Sequence, residues 1–241
     1  MAFRRHCLRP RVLHVLRGKD ATAASAVLGS FVQRVENWLY LFGDLGFILG
    51  SVLCFPRYYD RFGFAGNCLF IAFSGLNTLL AVHDLQETLR AQKLNLVTAQ
   101  RPEVWECLVN VASALLYTIG CILGLPVFRE TEKEYAMDEL FCLVGCVALV
   151  ASAYLNALGL AADGTETLLS RISLFCTQMG SVMFLVSAFL FLPEIAAVPL
   201  ADLLGCWMLV CGSTSFTVQA CLTIRMEYQT QAREHASADK I

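Results

Sequence analysis

Six stretches of this chain are each about one bilayer long and almost free of charge, which removes most folds from consideration. They fall at about 38–56, 62–82, 105–127, 140–162, 172–192 and 200–224. A helix needs about 20 residues to cross a hydrocarbon core of about 30 Å. Lipid offers the backbone no hydrogen-bond partner, so such stretches must be helical throughout. The chain is therefore expected to be all-α, a multi-pass transmembrane helical bundle of six spans. Composition agrees. Of 241 residues 57% are hydrophobic and 16% charged, with a mean hydropathy of +0.59, whereas a soluble domain carries about 25% charged residues. The net charge of -2 gives no reason to expect a nucleic-acid partner. The expected partners are the lipid bilayer and other membrane protein subunits.

The chemistry-bearing residues are sparse. Ten of the eleven cysteines fall in or at the edge of a run, where cysteine behaves as a small, soft hydrophobe. No CxxC occurs. The close pairs Cys142/Cys146 and Cys206/Cys211 have no histidine nearby to complete a metal site. His6, His14 and His235 lie outside the runs and His83 sits at the very end of the second, so no bis-histidine haem is expected. Neither HExxH, GxSxG nor a phosphate-binding glycine loop is present. The expectation is a protein that is not an enzyme and holds no metal or cofactor.

Between the runs the chain divides into a basic N-terminal arm over 1–35, units at 36–101, 102–170 and 171–226, and a polar, frayed tail over 227–241. The arm opens MAFRRHCLRPRVLHVLRGKD, with six Lys or Arg before the first acid at Asp20 and apolar residues interleaved. It lacks the unbroken apolar core of a secretory signal. Three readings fit it equally: a mitochondrial presequence, a cytoplasmic arm on anionic headgroups, or a plain anchor for the first helix. With six spans both termini share one side. That side collects fourteen of the eighteen Lys and Arg residues, leaving Arg57, Arg61, Arg129 and Lys133 opposite. By the positive-inside rule both termini face the cytoplasm, or the matrix in a mitochondrial inner membrane.

Three of the runs close on a proline, at Pro56, Pro126 and Pro193, spaced 70 and 67 residues apart. When these prolines are superposed, Phe47 falls on Tyr117 and Phe184, Gly50 on Gly120 and Ser187, Ser51 on Cys121 and Ala188, and Gly43 matches Gly180. Each unit continues through a turn into a second span, with Leu-Asn at Leu76-Asn77 and Leu155-Asn156. A regular long period argues for three tandem hairpins. The segment FILGSVLCFP, Phe47 to Pro56, together with the short turn and second span that follow, resembles the YrhK-like membrane domain. The second copy is weaker, and the third keeps only the aromatic, the small pair and the proline. The resemblance would cover about residues 36–226. It implies an integral membrane protein built of two-helix hairpins, and carries over no catalytic residue.

Two sets of residues stand out. Gly43, Gly50, Ser51, Gly120 and Gly180 are small residues that let helix backbones approach, the main route to packing in lipid. Asp44, Asn77 and Asn156 are polar candidates inside the spans. A buried carboxylate costs about 2.5–3.5 kcal/mol on insertion scales, so it faces the bundle or a water-filled path when it is not at the interface. The bland reading of Asp44 is a capped or interfacial acid, and that of the asparagines is helix cross-linking. The function expected is a structural or accessory subunit that docks other membrane helices. The alternative is a small-solute or ion transporter with a polar path near Asp44.

Overall fold

A computed structural model describes residues 23–92, 102–128, 132–163 and 167–238. The basic leader, the turn at Gly164-Thr165 and the last three residues lie outside the described residues. Seven α-helices carry the described residues: α1 (Ala23–Leu53), α2 (Pro56–Gln92), α3 (Pro102–Leu123), α4 (Glu132–Asp163), α5 (Leu168–Leu190), the single turn α6 (Pro193–Ala196) and α7 (Pro199–Ala238). A 3-10 turn spans Pro126–Phe128, and no strand occurs among the described residues. Among the described residues, five helices are long and apolar enough to cross a membrane, at Pro56–Arg90, Glu103–Leu123, Met137–Leu160, Leu168–Leu190 and Leu200–Thr230. The first helix is not among them. Its apolar run is diluted by Glu36, Asn37 and Asp44.

Proline sets the breaks, though not as the sequence suggests. The prolines do not close the preceding helices. Those helices stop at Leu53, Leu123 and Leu190, each three residues earlier, and Pro56, Pro126 and Pro193 open the next helical element, as Pro102 and Pro199 also do. The residue before a proline is pushed out of the α region, and proline at a first helical position strands no N–H. At α5 a capping box does the same work. The Ser170 N–H donates to Thr167 Oγ1 at 3.2 Å and the Thr167 N–H to Ser170 Oγ at 2.9 Å.

The expectation of a frayed tail needs correcting. The segment after His83, whose leucines Leu85 and Leu89 recur at helical spacing, is helical as far as Gln92, and the supposed frayed tail at 227–241 continues α7 as far as Ala238. Once a helix is nucleated, each further residue adds a hydrogen bond cheaply. Gln, Glu, Ala and Arg, which dominate both segments, favour helix strongly. Leu168 to Ser170, just before the third unit at 171–226, already belong to α5.

The six long helices close into a ring in chain order. Each packs on its two neighbours in sequence, and α7 returns to pack against α1. The ring is inside-out by the standards of a soluble protein. On α1, Phe31, Val35, Trp38, Phe42, Leu45, Leu49 and Val52 are exposed, while Asn37, Tyr40, Asp44, Phe47 and Ser51 are buried. The two sets alternate at the heptad spacing of one helix face against the other. Polar side chains are as numerous as apolar ones among the buried residues. An apolar exterior over a polar interior suits lipid as solvent.

The middle of the ring is aromatic. Phe47, Tyr117 and Phe184 form a nearly equilateral triangle, with centroids 6.1, 6.1 and 6.2 Å apart. Phe70 packs on Phe47 and Phe216 on Phe184. All five are buried. The described cysteines are free thiols; Cys54, Cys121, Cys142 and Cys146 pack into this interior, and Cys206 Sγ donates to the Cys54 carbonyl at 3.3 Å.

Candidate functional site: the polar end of the ring

One end of the ring gathers side chains that an apolar protein would keep in water. Glu36, Asn37 and Tyr40 come from α1, His83 and Asp84 from α2, and Glu227 from α7. Glu36, Asn37, Tyr40 and Asp84 are all buried. His83 Nδ1 stands 2.6 Å from Glu36 Oε1. The Tyr40 hydroxyl donates to Asp84 Oδ2 at 2.8 Å, and Asn37 donates from Nδ2 to Glu227 Oε2. These contacts tie the first, second and last long helices together where the ring closes on itself.

The reason such residues can meet here lies in helix geometry. Glu36 and Tyr40 are four apart and share one face of α1, and Asn37 lies one step round toward α7. The 2.8 Å bond from Tyr40 orients the Asp84 carboxylate. Tyr40→Phe is expected to cost about 1–3 kcal/mol by removing the donor from a buried acceptor. The midpoint of unfolding in a detergent-denaturant titration would show it, and an unchanged midpoint would mean the bond contributes nothing.

The polar interior continues around the ring. Glu106 and Asn110 on α3 are buried, and Ser152 Oγ on α4 donates to the Glu106 carbonyl at 3.2 Å. On α7, Gln219 Nε2 donates to Thr223 Oγ1 at 3.2 Å. Asp44 lies about 12 Å deeper than Glu36 along α1, from a rise of about 1.5 Å per residue. It is 1% exposed, so it faces the bundle. Asn77 is buried too, with no hydrogen-bond partner for its amide among the described residues. It packs beside Gly43, where an added Cβ would come within 3.3 Å of Asn77 Oδ1. Asn156, by contrast, is only half-buried on α4, which packs chiefly on α3 and α5. The structure therefore places Asp44 and Asn77 in the interior near α1 and leaves Asn156 apart.

The small residues sit at helix contacts. A Cβ at Gly50 would meet Phe70 and the Gly66 carbonyl, one at Gly120 would meet Cys142 and the Asp138 carbonyl, and one at Gly180 would meet the Phe216 ring. Ser51 is fully buried, its hydroxyl donating to the Phe47 carbonyl at 2.7 Å.

Sequence reasoning passed over Glu36, Asn37, Tyr40, His83, Asp84 and Glu227. Each lies at or beyond the edge of an apolar run, where a polar residue looks like ordinary headgroup-level surface. The missing signal was helical continuation of α2 and α7 past their apolar runs, which carries those edges inside the ring.

Comparison with curated proteins and with solved structures finds no match. A family model does match, on the last hairpin rather than on the Phe47–Pro56 segment. Residues 168–228, which span α5, α6 and most of α7, match the model of the YrhK-like protein family.

Proposed function

We propose that this chain is a non-catalytic integral membrane protein, an accessory subunit that docks other membrane helices through the outer face of α2. The observation that carries the reading is a stripe of small residues on that face. Ala65, Cys68 and Ala72 are exposed, and nothing stands within 4 Å of where a Cβ on Gly75 would lie. They recur at the three- and four-residue spacing of one helix face. The outer face of α1 is bulky throughout by comparison. In lipid, where burial alone drives little association, a smooth strip lets a second backbone approach closely.

In this reading all six long helices cross the bilayer, as three like hairpins with both termini on the positively charged side. The outward apolar stripe of α1 supports its crossing. Registers 70 and 67 residues apart support the repeat. They relate the aromatic triangle, and they also relate Glu36 to Glu106 and Ser173, and Tyr40 to Asn110 and Thr177, all of them buried. The fourteen basic residues assigned to one side support the orientation.

The test is to solubilise the protein gently from its native membrane and size it on a native gel. It is expected to run with stoichiometric partner chains, well above its own 26.6 kDa. Ala72→Leu with Gly75→Leu is expected to release those partners while the freed chain keeps its helical circular dichroism. A chain that runs alone, or a complex indifferent to both substitutions, overturns the reading.

A second reading, a small-solute or ion transporter, is favoured by the burial of Asp44 alone. Its path would have to pass the Phe47, Tyr117 and Phe184 rings, which fill the centre one turn beyond Asp44. Flux in proteoliposomes that Asp44→Asn abolishes would support it.

A further inference from the structure

We propose that Glu36, His83 and Asp84 form a binding site for one divalent first-row transition-metal ion at the closing seam of the ring. One ligand atom from each of these three residues lies within 4.8 Å of the other two. Donors bonded to one ion at about 2.1 Å stand about 3.0–3.4 Å apart. The Glu36–His83 pair, at 2.6 Å, needs only to open slightly, and the rest of the set to draw in by about an ångström. Both movements are within the range of side-chain rotation.

The donor set decides the class of ion. One imidazole and two carboxylates, with no thiolate among them, suit zinc, manganese or ferrous iron rather than a soft ion such as cuprous copper. Three protein ligands leave coordination positions for water. The surroundings are those of a built site. Glu36 and Asp84 are buried. Tyr40, 2% exposed, donates to Asp84 Oδ2 at 2.8 Å and so fixes one ligand from behind, as outer-shell partners of metal ligands do. Asn37 and its bond to Glu227 close the side toward α7. The His83 side chain, 41% exposed, leaves the site an entry route. Because the ligands come from α1 and α2, the ion would clamp the two helices together.

The experiment uses the full chain purified in detergent, stripped with a chelator and titrated with Zn2+ and with Co2+ as a spectroscopic probe. Calorimetry is expected to show about one ion per chain, and Co2+ a visible d–d band of nitrogen and oxygen ligation. His83→Gln is expected to weaken binding at least tenfold, and Glu36→Gln together with Asp84→Asn to abolish it. Asp44→Asn, outside the cluster, is expected to leave binding unchanged. Metal should also raise the unfolding midpoint of the native chain and not that of the double variant. Absence of saturable binding by the native chain overturns the proposal, and so does binding that His83→Gln leaves intact. Should a variant fail to fold, the Co2+ spectrum of the native chain decides. A thiolate charge-transfer band, or no band at all, overturns the proposal.

Discussion

Phe184→Ala is expected to destabilise the protein by about 2–4 kcal/mol. Phe184 is 1% exposed and touches both other members of the central triangle, as well as Phe216 at 5.7 Å. In a soluble core a Phe→Ala change costs about 3–5 kcal/mol, part of it lost transfer from water and part the cavity left behind. In a bilayer the transfer part shrinks, because lipid tails are as apolar as the core. The cavity part remains, and here three helices converge on the hole and cannot all collapse into it. Aromatic pairing adds about 0.5–1.5 kcal/mol per lost contact. Phe175→Ala is the internal control. It removes the same ring from the same helix at a position 61% exposed, and should change stability by less than about 0.5 kcal/mol. Denaturant titration in micelles, followed by tryptophan fluorescence, separates the two. Equal effects would mean the triangle does not hold the ring together.

That triangle also marks how far the sequence was legible. Superposing the three prolines sets Phe47, Tyr117 and Phe184 at equivalent positions, and those are rings that meet. Helix breaks in an apolar chain are chemically marked. Proline is a signal that survives alone, and a charge-free run of bilayer length has few other uses. The second helix of each unit was harder to read. Matching Leu76-Asn77 to Leu155-Asn156 rested on a dipeptide, and the helix contacts imply another register. Gly50 meets Gly66, Gly120 meets Asp138, and Ser187 Oγ donates to the Gly205 carbonyl at 2.9 Å. Carried eleven residues along, that register sets Asn77 against Leu149 and Phe216, all buried, and sets Asn156 against Asp84. Short polar matches are weak because an inward-facing position in this ring accepts either a polar or an aromatic side chain.

The polar end was illegible for a related reason. Hydropathy ranks residues one at a time, and Glu36, His83 and Asp84 score as surface. The burial of Glu36 and Asp84 follows from the helices meeting in three dimensions as the ring closes. No window along the chain contains that event. Asp44 was visible because it breaks an apolar run, and its depth was not, because depth depends on which face of α1 turns inward.

Two glycines on either side of one helix pair give the sharpest contrast in expected sign. Gly120→Val is expected to cost about 3 kcal/mol, the upper end of the range for overpacking. The first atom added to Gly120 would come 2.5 Å from Cys142 Sγ, 2.9 Å from the Asp138 carbonyl and 3.0 Å from the Cys142 nitrogen. A thiol can rotate away, but two backbone atoms cannot, so α3 and α4 must separate. Separation would strain what that interface holds, including the bond from Ser113 Oγ to the Gly145 carbonyl at 2.7 Å. Gly159→Ala, on the same α4, should do the opposite. Nothing lies within 4 Å of where its Cβ would stand, so the change removes only backbone freedom and should stabilise by about 0.5–1 kcal/mol. Both variants are read in one denaturant titration. If Gly120→Val unfolds at the same midpoint as the native chain, the close α3–α4 approach is absent in the folded protein. A loss at Gly159→Ala would instead place a neighbour against the outer face of α4.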